Sequence, residues 1–113
     1  MNTYVRKSDI KEEKEINTEG MLYCIVRAHS AGVFAGYIKS RDKDEVVLLK
    51  ARRLWYWEGA ASLSQLAMEG VSKPEKCKFP CEVESVTLLG VIEIIPSTEK
   101  AYNSIKKVSI WKC

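Results

Sequence analysis

The side chains best suited to chemistry fall in one short run, Arg52-Arg53-Leu54-Trp55-Tyr56-Trp57. On an extended strand successive side chains alternate between faces, which puts Arg53, Trp55 and Trp57 on one side and Arg52, Leu54 and Tyr56 on the other. A guanidinium beside two indoles can hold a nucleotide. The base stacks on an aromatic plane for about 1–3 kcal/mol, and the arginine grips a phosphate through two N–H groups. The same residue types dominate protein-binding hot spots. Arg52, Arg53, Trp55, Tyr56 and Trp57 are therefore the candidate ligand- or partner-binding residues. The competing arrangement has the tryptophans filling the core under a helix and the arginines in water.

Other residues offer less. Cys77-Lys78-Phe79-Pro80-Cys81 has two thiols, but a tetrahedral zinc site needs four ligands, usually as two close pairs, and no second pair matches. Cys24, His29 or Cys113 would complete such a set only by coincidence of folding, so buried thiols beside an X-Pro turn are expected and no metal is assigned. His29, the single histidine, reads as a polar turn residue, since no nucleophile or orienting carboxylate stands at a motif spacing from it. Glu82, Glu84 and Glu93 alternate out of a strand as solvated carboxylates. Asp42, Asp44 and Glu45 flank a turn without the spacing of a calcium loop. Ser30 to Gly36 holds two glycines but neither a dinucleotide fingerprint nor a phosphate loop. The expectation is a protein without catalytic residues or cofactor, not an enzyme.

These candidates need a scaffold. Residues 1–20 hold four basic and five acidic side chains with no apolar stripe, and read as a charged arm. The domain starts near Met21, where MLYCIVRA reads as a strand ending in the His29–Gly32 turn. Gly32 to Arg41 continues as the second arm of a hairpin, with Gly32 and Gly36 implying close backbone approach or a bend. EVVLLKARRLWYW supplies one long strand or two short ones. A short helix follows from Ser62 to Glu69, with Ser62 and Gln65 as a capping box and Gly70 as a left-handed stop. Glu82 to Ile95 reads as extended structure bent at Gly90 and ended by Pro96. Ser97 or Thr98 caps a second helix to about Lys106, with Ala101, Ile105 and Val108 inward, and Val108 to Lys112 forms a last strand. The fold class is α+β, a small antiparallel, partly open barrel or curled sheet of SH3-like or OB-like kind with two short helices.

With 113 residues, 46 % hydrophobic and 29 % charged, the chain fits one domain, residues 21–113 behind the arm. The longest apolar runs fall well short of the roughly 20 residues that span a bilayer. No signal peptide is read at the N-terminus, so the four cysteines are expected reduced, in a cytoplasm. A net charge of +3 is too mild for duplex DNA binding.

Taken together, SAGVFAG (30–36), ARRLWYWEGAASLSQLA (51–67), KFPCEV (78–83) and EIIP (93–96) resemble a family of small uncharacterised proteins of tailed phages and prophages, over about residues 21 to 112. The resemblance implies a host bacterial cytoplasm and an accessory protein that blunts defence or redirects host machinery, often as an oligomer. The function expected is binding and inhibition of a host protein. The alternatives are an oligomeric sponge for a small nucleotide signal and a module for single-stranded nucleic acid.

Overall fold

The computed structural model of the chain describes residues 14–112; most of the charged arm expected at the N-terminus, residues 1–13, lies outside the described residues. Among the described residues five strands and two helices follow in order: β1 (Tyr23–Ala28), β2 (Gly32–Asp42), β3 (Glu45–Arg53), α1 (Leu63–Glu69), a 3-10 turn (Pro74–Lys76), β4 (Glu82–Leu88), β5 (Val91–Pro96) and α2 (Glu99–Lys107). The sheet order is β4-β3-β2-β1-β5 and every pair is antiparallel. This is the α+β architecture expected, a curled sheet that does not close.

One connection shows how strongly the sheet curls. β4 and β5 lie at opposite edges, yet only Leu89 and Gly90 link them. Three peptide steps reach about 11 Å, whereas the edges of a flat five-stranded sheet stand about 19 Å apart. The edges must therefore meet at this end, where Val91 N–H donates to Asp44 O at 2.9 Å and His29 N–H to Gly90 O at 2.8 Å. The single bent strand expected over Glu82 to Ile95 is thus two strands. Gly90 (φ 71) is the turn between them rather than a bend within one.

Curling buries both faces of the central strands. Cys24, Val26, Phe34, Val46, Leu48, Ala51 and Leu88 pack on one face. Tyr23, Ile25, Ala35, Tyr37 and Leu54 face the helices and meet Leu66, Ala67, Phe79, Ile105 and Val108. Each helix carries the cap its sequence encodes. Gln65 N–H donates to Ser62 Oγ at 3.1 Å, and Ala101 N–H to Thr98 Oγ1 at 3.1 Å. The return half of the first box goes to Ala61, whose N–H donates to Gln65 Oε1 at 2.8 Å. Gly70 closes α1 onto Leu66 O with φ 80 and ψ −153, so its φ is left-handed but its ψ is not. A Cβ there would lie 2.3 Å from Ser104 Cβ, which shows how closely the two helices pack. Ala101, Ile105 and Val108 are buried, as their spacing predicts. The last strand expected over Val108 to Lys112 is a single parallel bridge, Ile110 to Phe79. Residues 14–20 of the arm lie on the domain: Glu15 N–H donates to Ser97 O at 3.0 Å, and Glu15 O accepts from Tyr23 N–H at 2.9 Å. No described helix is long and apolar enough to cross a membrane.

Candidate functional site

The path to the Arg-Arg-Leu-Trp-Tyr-Trp run begins at an irregularity in β3. Ala35 pairs with Arg52 and Tyr37 with Leu49, so β3 holds one extra residue opposite Gly36, and Lys50 takes up the slack at φ 52. Gly36 permits this: a Cβ there would stand 3.1 Å from Ala51 Cα and from Leu49 O. The close approach anticipated for this glycine is real, and the bulge is its cause. A one-residue slip exchanges the faces of everything downstream. Val46 and Leu48 share their face with Ala51 and Arg53, while Arg52 and Leu54 turn to the helix side.

Arg52 is consequently inside, only 5 % exposed. Its Nε donates to Pro80 O at 2.8 Å and its Nη1 to Ile105 O at 2.8 Å. Its Nη2 reaches Val108 O at 2.8 Å, Phe79 O at 3.1 Å and Ser109 O at 3.2 Å. These carbonyls belong to the end of α2 and to the loop before β4, so the guanidinium caps a helix C-terminus and ties it to the sheet. Burial lowers its pKa below the ordinary arginine value, but arginine starts so high that the charge persists at neutral pH. Arg52 therefore leaves the set of exposed candidates; its role is internal.

Arg53 lies with its guanidinium carbon 4.3 Å from the centre of the Phe34 ring and donates to Ala31 O at 2.6 Å. Together with Trp55 and Trp57 it lines a depression of about 300 Å³ beside Ala31–Val33. The three residues line one depression, but not as one face of a strand: β3 ends at Arg53, and Leu54, which alternation puts on the opposite side, lines the depression too. Trp55 stands 64 % exposed and Tyr56 44 %, while Trp57 is half-buried against the helix-side core. The competing arrangement, tryptophans in the core and arginines in water, is reversed at Trp55 and Arg52.

β3 ends at Arg53, and the chain beyond it makes a new, smaller pairing. Lys78 N–H donates to Tyr56 O at 2.7 Å, and Trp55 N–H and Tyr56 N–H both approach Lys78 O, at 3.2 and 3.3 Å. Trp111 N–H donates to Phe79 O at 3.0 Å. Three segments remote in sequence therefore meet at one corner, held from beneath by Arg52. The Lys78 ammonium lies 5.7 Å from the ring centres of both Tyr56 and Trp111. Ile110 is 54 % exposed, and it joins Trp111, Pro74, Cys77 and Lys107 around a second depression of about 510 Å³. Tyr56 Oη donates to Glu58 Oε2 at 2.7 Å, and that bond raises the phenol pKa.

Lys78, Ile110 and Trp111 escape sequence reasoning because nothing local marks them: Lys78 sits inside a segment noted for its thiols, and Trp111 in a stretch expected to pair as a strand. The other candidates fall elsewhere. Cys77 is buried, its thiol pKa raised by desolvation, and Cys81 is exposed. His29 is exposed on the β1–β2 turn.

The corner can bind through indole and phenol faces and a stacked ammonium, a combination suited to recognition. No curated protein and no solved structure matches the chain. A family described as a domain of unknown function (DUF6948) matches residues 21–105, most of the length, and the chain belongs to that family.

Proposed function

We propose that this chain is a non-catalytic accessory protein of tailed phages that binds and inhibits a host protein in the bacterial cytoplasm, using the corner built by Arg53, Trp55, Tyr56, Trp57, Lys78 and Trp111. The observation that carries the reading is Trp55, a large apolar side chain left 64 % exposed on a hydrogen-bonded base. With the backbone already fixed, ordering the indole on binding costs only its two side-chain torsions, which is why aromatic residues of this kind anchor interfaces. The phage setting and the inhibition of a host protein come from the resemblance in the four sequence segments.

The test is capture of host protein by the wild-type chain and by a Trp55→Ala, Tyr56→Ala variant. The variant should keep the wild-type melting temperature and lose about tenfold or more in affinity. Undiminished capture would remove the corner from the reading. A nucleotide trap is the second reading, motivated by the depression between Arg53, Trp55 and Trp57. It requires a bound nucleotide mass in native mass spectrometry, and the engagement of Arg53 with Ala31 O and Phe34 places it second.

A further inference from the structure

We infer that the partner presents an acidic protein segment, whose carboxylates meet the cations of the corner while apolar side chains rest on its exposed rings. This rests on the reading of the corner as the binding surface and adds the chemistry of what it takes. The three segments that build the corner, with the 3-10 turn leading into Lys78, carry Arg53, Lys73, Lys76, Lys78, Lys107 and Lys112. Only two carboxylates, Glu58 and Glu75, lie among them. That local excess is larger than the +3 of the whole chain, so the rest of the molecule is net acidic. The two ion pairs among the described residues, Arg27–Glu93 and Lys106–Glu82, involve none of these six cations.

A cationic field of this size also attracts phosphates, and one feature favours a peptide. The Lys78 ammonium already lies against both the Tyr56 and the Trp111 ring. A carboxylate can pair with that ammonium from outside, whereas a stacking base would have to displace it. Complementary charge of this kind steers association and selects partners.

The experiment selects short random displayed peptides on the full-length protein, with counter-selection against Trp55→Ala. Enriched peptides should be net negative with at least one large apolar residue. They should bind Lys78→Glu about tenfold or more weakly, and Lys78→Gln less weakly, with affinity falling as salt rises. Circular dichroism of both variants separates lost charge from lost fold. Neutral or basic consensus peptides, no enrichment at all, binding of oligo-dT in place of peptide, or self-association that Trp55→Ala abolishes would each overturn the inference. If Trp55→Ala loses the host protein but the peptides are not acidic, the binding surface stands and only the partner chemistry fails. If Trp55→Ala keeps the host protein, the surface itself is wrong.

Discussion

Arg52 lies under the end of α2 with five carbonyl oxygens around its guanidinium, whereas Arg53, the next residue, lies across the Phe34 ring at the rim of the exposed corner. Both are arginines on one strand, two and three residues past Lys50 in the same bulge. The difference follows from which face the Lys50 insertion assigns to each. One cation is spent on holding the scaffold; the other stays beside the aromatic surface. A cluster of binding-type residues is therefore not a binding surface as a whole: the part turned inward fixes the shape of the part turned outward.

The comparison breaks most sharply at Arg52. Arg52→Ala leaves carbonyls at the α2 C-terminus and in the loop at Phe79–Pro80 without their charged donor. The expected loss is about 3–5 kcal/mol in urea unfolding, a large share of what a domain of this size has. Arg52→Lys should recover only part of it, because an ammonium lacks the planar fork that reaches three chain segments. A loss below about 1 kcal/mol would show that those carbonyls find other donors and that Arg52 is no staple.

Next in size is Gly36→Ala. The added Cβ would crowd Ala51 Cα, Leu49 O and Leu48 Cβ at 3.1–3.3 Å, so either the bulge or β2 must shift. A cost of about 1–3 kcal/mol is expected. If the bulge sets the faces, partner capture should fall along with stability.

The buried side also carries a pH dependence. Burial pushes the Cys24 thiol from 9.0 up to about 11, and the buried Tyr23 and Tyr37 phenols are raised as well, chiefly by the same desolvation. A folded state that holds its protons more tightly than the unfolded chain is favoured while both are protonated and loses that advantage as the unfolded groups ionise. Stability should be level below pH 9.0 and decline from there through about 11, read as a falling urea midpoint, with Cys24→Ala showing a shallower decline. A midpoint unchanged across that interval would contradict the buried placement of Cys24.

Much of this scaffold was legible because its signals are local. Ser62 and Thr98 cap the helices where hydroxyls precede helical periodicity, and Ala101, Ile105 and Val108 face inward as a period of 3.6 requires. The nearness of Arg53, Trp55 and Trp57 was legible only from their adjacency in the sequence, because β3 ends at Arg53 and Trp57 packs on the helix-side core with Leu54. The destination of Arg52 was not, since it depends on α2 arriving from more than fifty residues away. Neither was the meeting of Lys78 and Trp111 with Tyr56, which requires three segments to converge. The strands on either side of Gly90 misled for a related reason: a two-residue link looks the same whether it joins neighbours or the two edges of a curled sheet.

Lys50 offers a smaller test of the bulge. A non-glycine residue at φ 52 carries about 1–2 kcal/mol of steric strain, part of which glycine returns as greater freedom in the unfolded chain. Lys50→Gly should thus stabilise by about 0.5–1 kcal/mol and leave partner capture intact. Destabilisation would mean that the lysine side chain contributes more than its backbone costs.

The least stability should be lost at the residue proposed to matter most for binding. Trp55 exposes most of its surface, so Trp55→Ala removes little buried area, and its effect on unfolding should stay within about 0.5 kcal/mol. Its backbone N–H still reaches Lys78 O, so the corner keeps its frame without the indole. A large destabilisation would place Trp55 with Arg52 as part of the scaffold. A negligible one, with partner capture lost, would separate the neighbouring roles: a buried guanidinium that sets the geometry and an exposed indole that uses it.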